Sequence, residues 1–210
     1  MLEAKIRLPN FATEFDRNVV KEIKAHIFKR MPSISVGIKK RLQITLADLI
    51  RRSDEYSSLT GGELRGQIGL EDPSSIEAII DRWAEGIEVR FLKNKRFGSI
   101  KIGMIQSDYS DVLTMPEASY TYVARKGSKV IDWLRWLLLE GSQSIVQDYN
   151  FAASKQGRTG LGIMVSKEGG SWKVPAAYAG TAEDNFVTRS LRDIEKEIDI
   201  VVKQEVSKGL

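Results

Sequence analysis

The chain of 210 residues, 42% hydrophobic and 29% charged, is long enough to bury a core and too apolar to stay disordered. It has no cysteine and one histidine, His26, which excludes disulfides, thiol catalysis and thiolate metal sites and leaves a Ser-His-Asp mechanism one candidate base without a glycine-flanked nucleophile. A net charge of +4 comes from 32 basic against 28 acidic residues, so a polyanionic partner is only weakly favoured and no arginine-rich tail is present.

No apolar run approaches the ~20 residues that span a bilayer, and MLEAKIRLPNF lacks the apolar region and cleavage site of a signal peptide. Folding in a cytoplasm, away from membranes, is expected. Phe11, Phe15, Val19, Ile23 and Ile27 recur every fourth residue and predict an amphipathic helix. Pro32 ends it, and Ile38, Leu42, Leu46 and Leu49 predict a second helix starting near Ile34. Together they read as a helical hairpin over residues 1–55. His26 falls near the end of the first helix, where the dipole favours it. A DNA-reading pair is weakly supported, because Gly37, Lys39, Lys40 and Gln43 make a modest recognition set.

Ser53–Gly62 reads as a polar loop, and Asp72-Pro73-Ser74 as a turn into a helix over Ser75–Ala84 with Ile76, Ile79, Ile80 and Trp83 on one face. From Gly86 the period changes to alternation. Ile87, Val89 and Phe91 match Ile100, Ile102 and Met104 across a basic connection, Lys93–Gly98, as in a long β-hairpin. Asp108, Asp111 and Glu117 invite a cation or an acid–base pair, but the spacing of an EF-hand loop is absent and Pro116 interrupts the segment. A turn of capping carboxylates is the plainer reading.

Ala118–Ala124 suits a strand, ended by Lys126-Gly127-Ser128, with Ser128 capping a helix of Val130, Ile131, Trp133, Leu134 and Trp136–Leu139 that is apolar all round and therefore buried. Gly141 is expected to stop that helix in the left-handed conformation. Ile145–Phe151 reads as a strand, and Leu161–Val165 with Ser171–Val174 as a hairpin around residues 166–170. GRTGLG lacks the Lys-Ser/Thr of a phosphate loop and precedes a strand, which argues against nucleotide binding. Thr181 or Asp184 can cap a last helix whose stripe is Val187, Leu191, Ile194, Ile198 and Val201. The fold expected is a single α+β domain over residues 1–210: an antiparallel or mixed sheet between Gly86 and Pro175, a packed C-terminal helix, and the N-terminal hairpin beside this core or projecting as an arm.

Four segments carry a further pattern: Trp133–Gly141 (a Leu/Trp-rich helix ending Glu-Gly), Gly157–Gly160 (GRTG), Trp172–Pro175 (WKVP) and Gly180–Leu191 (GTAEDNFVTRSL). Their order resembles that of the neck and tail-completion proteins of tailed bacteriophages, and LTGGELRGQIGL, Leu59–Leu70, resembles the Gly-x-Leu-Arg segment of the same proteins. The resemblance implies a structural virion protein, made in the host cytoplasm, that forms a homo-oligomeric ring in the neck and joins or stabilises the head–tail junction. Its partners would be other neck, portal-adaptor and tail proteins, close to packaged DNA, with no catalysis, cofactor or metal. Candidate partner or subunit contacts are Lys93, Lys95, Arg96 and Phe97 at the first hairpin tip, Lys167 at the second, and Arg158, Trp172 and Tyr178. The alternatives are a nucleic-acid-binding protein using the basic tip and N-terminal helices, and an enzyme with a carboxylate pair within Asp108–Glu117.

Overall fold

In the computed structural model, a single helix, α1, runs from Glu14 to Arg51 straight through Pro32. The structure describes residues 2–4, 14–93, 98–124, 127–141 and 143–209. Pro32 removes one helical N–H and crowds the carbonyl four residues earlier, which is why a break is expected there. The apolar phase is unbroken, however, because Met31, Ile34, Ile38, Leu42 and Leu46 follow one another at spacings of three and four and are all buried. Burial of that stripe, at ~25 cal/mol per Å² of apolar surface, outweighs the local defect, and the Ser33 hydroxyl bonds back to the Arg30 carbonyl at 2.8 Å. The expected hairpin over residues 1–55 is thus one helix, and His26 lies exposed in its middle rather than at an end. Phe11 lies outside the described residues. Val19 and Ile23, expected to face inward, are 47% and 52% exposed.

The chain divides into two compact units. The first comprises residues 1–46, 84–105 and 193–210. Its sheet is antiparallel in the order β1-β3-β2, from β1 (Leu2–Ala4), β2 (Glu88–Lys93) and β3 (Gly98–Gly103). Val89 stands opposite Ile102 and Phe91 opposite Ile100, as the alternation predicts. The connecting residues Lys95, Arg96 and Phe97 lie outside the described residues. The last helix, α8 (Ile194–Gly209), buries Ile194, Ile198, Val201 and Val202 and is tied to α1, where Arg41 Nη1 meets Glu205 Oε1 at 3.3 Å.

The second unit comprises residues 47–83 and 106–192. The expected loop at Ser53–Gly62 is instead helix α2 (Asp54–Gly61), because Ser53 is an N-cap whose hydroxyl accepts from the Tyr56 amide at 3.1 Å, and Asp54 and Glu55 follow in the first turn. Next come α3 (Glu63–Ile68), stopped by Gly69 at φ +81°, and α4 (Ser74–Glu85), which buries Ile76, Ile79, Ile80 and Trp83 as its stripe predicts. A short helix, α5 (Ser110–Leu113), leads to β4 (Tyr120–Ala124).

The helix expected from Ser128 is a strand at its start. Gly127, at φ +120°, begins β5 (Gly127–Ile131), which pairs with β4 so that Tyr120 faces Ile131. Adjacent Val130 and Ile131 look continuous with the Trp133 helix in sequence, but they belong to β5, whose residues Gly127–Val130 are all exposed, Val130 by 61%. The helix proper is α6 (Trp133–Arg135) running into a π-helical turn over Trp136–Glu140. Trp133 is fully buried, with Nε1 donating to the Glu117 carbonyl at 2.8 Å.

Strands β6 (Val146–Ala153) and β7 (Gly162–Trp172) form a third antiparallel pair. The expected hairpin around residues 166–170 is not a hairpin. Both of its halves pair with β6 in one direction, and between the pairs Gln147↔Ser171 and Tyr149↔Ser166 the four residues 167–170 bulge opposite Asp148 alone. Gly169 takes φ +70° in the bulge and its amide donates to Asp148 Oδ1 at 3.2 Å. The last helix is likewise divided: α7 (Phe186–Ser190) is capped by Asn185, not by Thr181 or Asp184, and precedes α8. The architecture is therefore α+β, with three small antiparallel sheets among the described residues rather than one.

Candidate functional site

Trp133–Gly141, Gly157–Gly160, Trp172–Pro175 and Gly180–Leu191 all lie inside the second unit. Gly141 and Gly180 touch by their main chains, the Gly141 amide donating to the Gly180 carbonyl at 3.3 Å. Gly141 has φ −62°, so the expected left-handed stop is absent. Glycine is needed there for close approach, since a Cβ on Gly141 would lie 2.8 Å from the Gly180 nitrogen and one on Gly180 only 2.3 Å from the Leu137 carbonyl oxygen.

Beside this contact lies Asn185, fully buried. Its Oδ1 accepts from the Val187 and Thr188 amides at 3.1 Å each, while Thr188 Oγ1 accepts from the Asn185 amide, a reciprocal cap that starts α7. Its Nδ2 donates to the Tyr109 hydroxyl and the Thr181 carbonyl, both at 2.8 Å, and to the Leu138 carbonyl at 3.3 Å. One side chain therefore joins the α5 turn, the π-helical turn and the α7 start. Burial pushes the Tyr109 hydroxyl pKa up, and the residue sits at φ +55°.

From α7, Arg189 reaches Glu55 of α2, with Nη2 and Nε at 2.7 and 3.2 Å from Oε1; Glu55 is itself buried. Asn185 and Arg189 both fall in the Gly180–Leu191 pattern, without these roles being expected, and Asn185 also stands directly before the apolar pair Phe186-Val187 and three residues before Thr188; nothing in the sequence marked Tyr109 or Glu55.

Of the predicted contact residues, Arg158 and Trp172 line one cleft. Arg158 Nε is 2.8 Å from Glu71 Oε1, Nη2 donates to the Gly69 carbonyl at 2.8 Å, and the guanidinium stands 4.8 Å over the Tyr120 ring. Trp172 is buried and meets Trp136 edge to face at 6.1 Å. Lys167 is exposed on the β7 bulge, and Tyr178, half-buried, lines a separate groove with Glu55 and Arg189. Lys93 belongs to the other unit, exposed, with Nζ 5.8 Å from the Phe28 ring centre. Within the second unit, therefore, Arg158 and Trp172 share a cleft that Lys167 and Tyr178 do not line.

The Asp108–Glu117 carboxylates are local. Asp108 Oδ1 accepts from the Ser110 amide and hydroxyl at 3.2 and 3.0 Å, which lowers its pKa, whereas burial raises that of Asp111. Among the described residues no group of three His, Cys, Asp or Glu could hold a metal ion, and no helix is long and apolar enough to cross a membrane. No protein-family model, no curated protein and no solved structure matches the chain.

Proposed function

We propose that this chain is a structural protein of the neck of a tailed bacteriophage, assembling as a ring that joins or stabilises the head–tail junction. The observation that supports the reading is the convergence of the phage-like segments. Trp136 meets Trp172, Gly141 meets Gly180, Asn185 bonds to Leu138, and Arg158 bonds to Gly69 at the end of the Leu59–Leu70 segment. These segments thus touch one another within one unit, as the parts of a single pattern would.

The function would be association rather than turnover. Repeated heterologous contacts close into a ring when the rotation between subunits closes, and each needs apolar surface that the folded subunit leaves outside. Val36 and Ile44 of α1 and Val130, Ile163 and Val165 of the β-hairpins are such residues, all more than a third exposed.

Deleting the gene from the phage that carries it tests the reading. Full heads and finished tails that fail to join are expected, and normal infectious particles would overturn it. A DNA affinity that falls steeply with salt, with particles unaffected, would favour the nucleic-acid-binding alternative.

A further inference from the structure

Two stripes of α1 in the first unit face in nearly opposite directions. Arg30, Ile34, Gly37 and Arg41, at spacings of four, three and four, face the last turns of α8. Arg30 Nη1 donates to the Gly209 carbonyl at 2.8 Å, Arg41 Nη1 is 3.3 Å from Glu205 Oε1, and Ile34 and Gly37 pack against Gly209 and Glu205. Phe28, Pro32, Ser35 and Lys39 repeat the same spacings and line a groove of about 430 Å³, whose other wall is Val89, Phe91 and Lys93 of β2. The second stripe is offset from the first by two residues, about 200° at 3.6 residues per turn. The groove and α8 therefore lie on opposite sides of one helix.

The groove is apolar and carries positive charge. Phe28 and Phe91 meet with ring centres 5.5 Å apart, and Val36, which also lines the groove, is 56% exposed. Its charged lining residues are Lys39 and Lys93, and among the described residues no acidic side chain lines it. The outer face of α8 offers the complement. Ile200 is 46% exposed, away from the buried stripe of that helix, and Glu197, three residues earlier, stands beside it on the helix surface. Glu197 is exposed and makes no ion pair among the described residues.

We propose that the groove receives α8 of a second copy of this chain, with Ile200 seated among Phe28, Val36 and Val89 and Glu197 at the Lys39 and Lys93 ammonium groups. The contact rests on the ring reading above and gives it an interface. Because groove and α8 lie on opposite sides of α1, each copy presents the groove to one neighbour and α8 to the other, so the contact repeats head to tail as a heterologous interface must. Two grooves facing each other fit less well, since Lys39 and Lys93 would then approach their own counterparts.

The chain has no cysteine, so single cysteines report the contact. Val36→Cys and Ile200→Cys copies of the full chain, one lengthened by a tag, are mixed and treated with bismaleimidoethane. Both positions are exposed, so the substitutions leave the fold intact. A cross-linked heterodimer is expected from the mixture and no cross-linked dimer from either variant alone. In sedimentation, Lys93→Glu and Glu197→Lys should each weaken self-association about tenfold or more, as loss of a charge pair at an interface does, and the double variant should recover much of it. A covalent dimer from either cysteine variant alone, no heterodimer from the mixture, or charge variants that associate like the parent would each overturn the proposal. Salt-dependent binding of oligo(dT) abolished by Lys93→Glu, without self-association, would give the groove to nucleic acid and also overturn it. Self-association without the Val36–Ile200 cross-link would overturn this contact alone and leave the ring reading to the composition of the particle.

Discussion

Gly141 and Gly180 sit with their main chains in direct contact, the amide of the first donating to the carbonyl of the second at 3.3 Å. At Gly180 a Cβ would lie 2.3 Å from the Leu137 carbonyl oxygen and 2.6 Å from Asn185 Cβ. Neither obstacle can swing aside as the end of a flexible side chain would. Gly180→Ala is expected to cost about 2–3 kcal/mol, as overpacking does, measured by urea unfolding. Gly61→Ala, where nothing lies within 4 Å of the new Cβ, should be neutral or stabilise by up to ~1 kcal/mol. Equal effects at the two positions would contradict the contact.

Asn185 gives a second test. Asn185→Ala removes a cap and several buried hydrogen bonds, for a loss of about 2–4 kcal/mol. Asn185→Asp keeps an oxygen for the Val187 and Thr188 amides but loses the donor and turns a negative charge towards the carbonyls of Leu138 and Thr181. It should therefore be no better than Ala at neutral pH and recover in acid as the new carboxyl takes up a proton. Thermal melts of both variants at two pH values check this.

The Arg189–Glu55 pair joins α7 to α2 with Glu55 buried. Arg189→Ala leaves that carboxylate without its partner, and a loss of about 3 kcal/mol is expected. Adding Glu55→Gln should restore part of it, because the uncompensated charge disappears. A double variant no more stable than Arg189→Ala would show that the charge is not what matters.

Two carboxyls of the second unit respond to pH in opposite directions. Hydrogen bonds from Arg51 at 2.8 and 3.1 Å, ahead of one from the Tyr56 hydroxyl, hold the Glu77 pKa below the usual carboxylate range although burial opposes them. A lowered folded pKa contributes stability above the unfolded value and loses it as pH falls through the folded one. Glu77→Gln should thus destabilise at neutral pH and lose its effect in strong acid. Burial raises the Asp111 pKa, and its Oδ1 has no hydrogen-bond partner. That carboxyl favours the fold when protonated and disfavours it as pH rises through the folded pKa, so Asp111→Asn should raise the melting temperature at neutral pH and change little in strong acid.

What could be read in the sequence was whatever its local period decided. The α4 stripe of Ile76, Ile79, Ile80 and Trp83 and the pairing of Val89 with Ile102 followed from spacing alone. Where a local signal competed with a tertiary one, the local signal misled. Pro32 argued for a break that the buried Met31, Ile34 and Ile38 override, and Val130-Ile131 argued for a helix that the turn at Gly127 prevents. Lys167–Gly170 has turn composition, yet it bulges from a strand whose two halves both pair with β6. Arg158 and Trp172 stood out in the sequence, but their engagements with Glu71 and Trp136 are long-range. No spacing rule reaches across the sequence separation of 134 from Glu55 to Arg189.

The proposed place in the phage neck is tested most directly by quantitative mass spectrometry of purified mature particles of the phage that carries the gene. The protein is expected in the particle, at a copy number per virion matching that of other neck-ring proteins and far below that of the capsid protein. Its absence from mature particles, with the remaining neck proteins present, would contradict it.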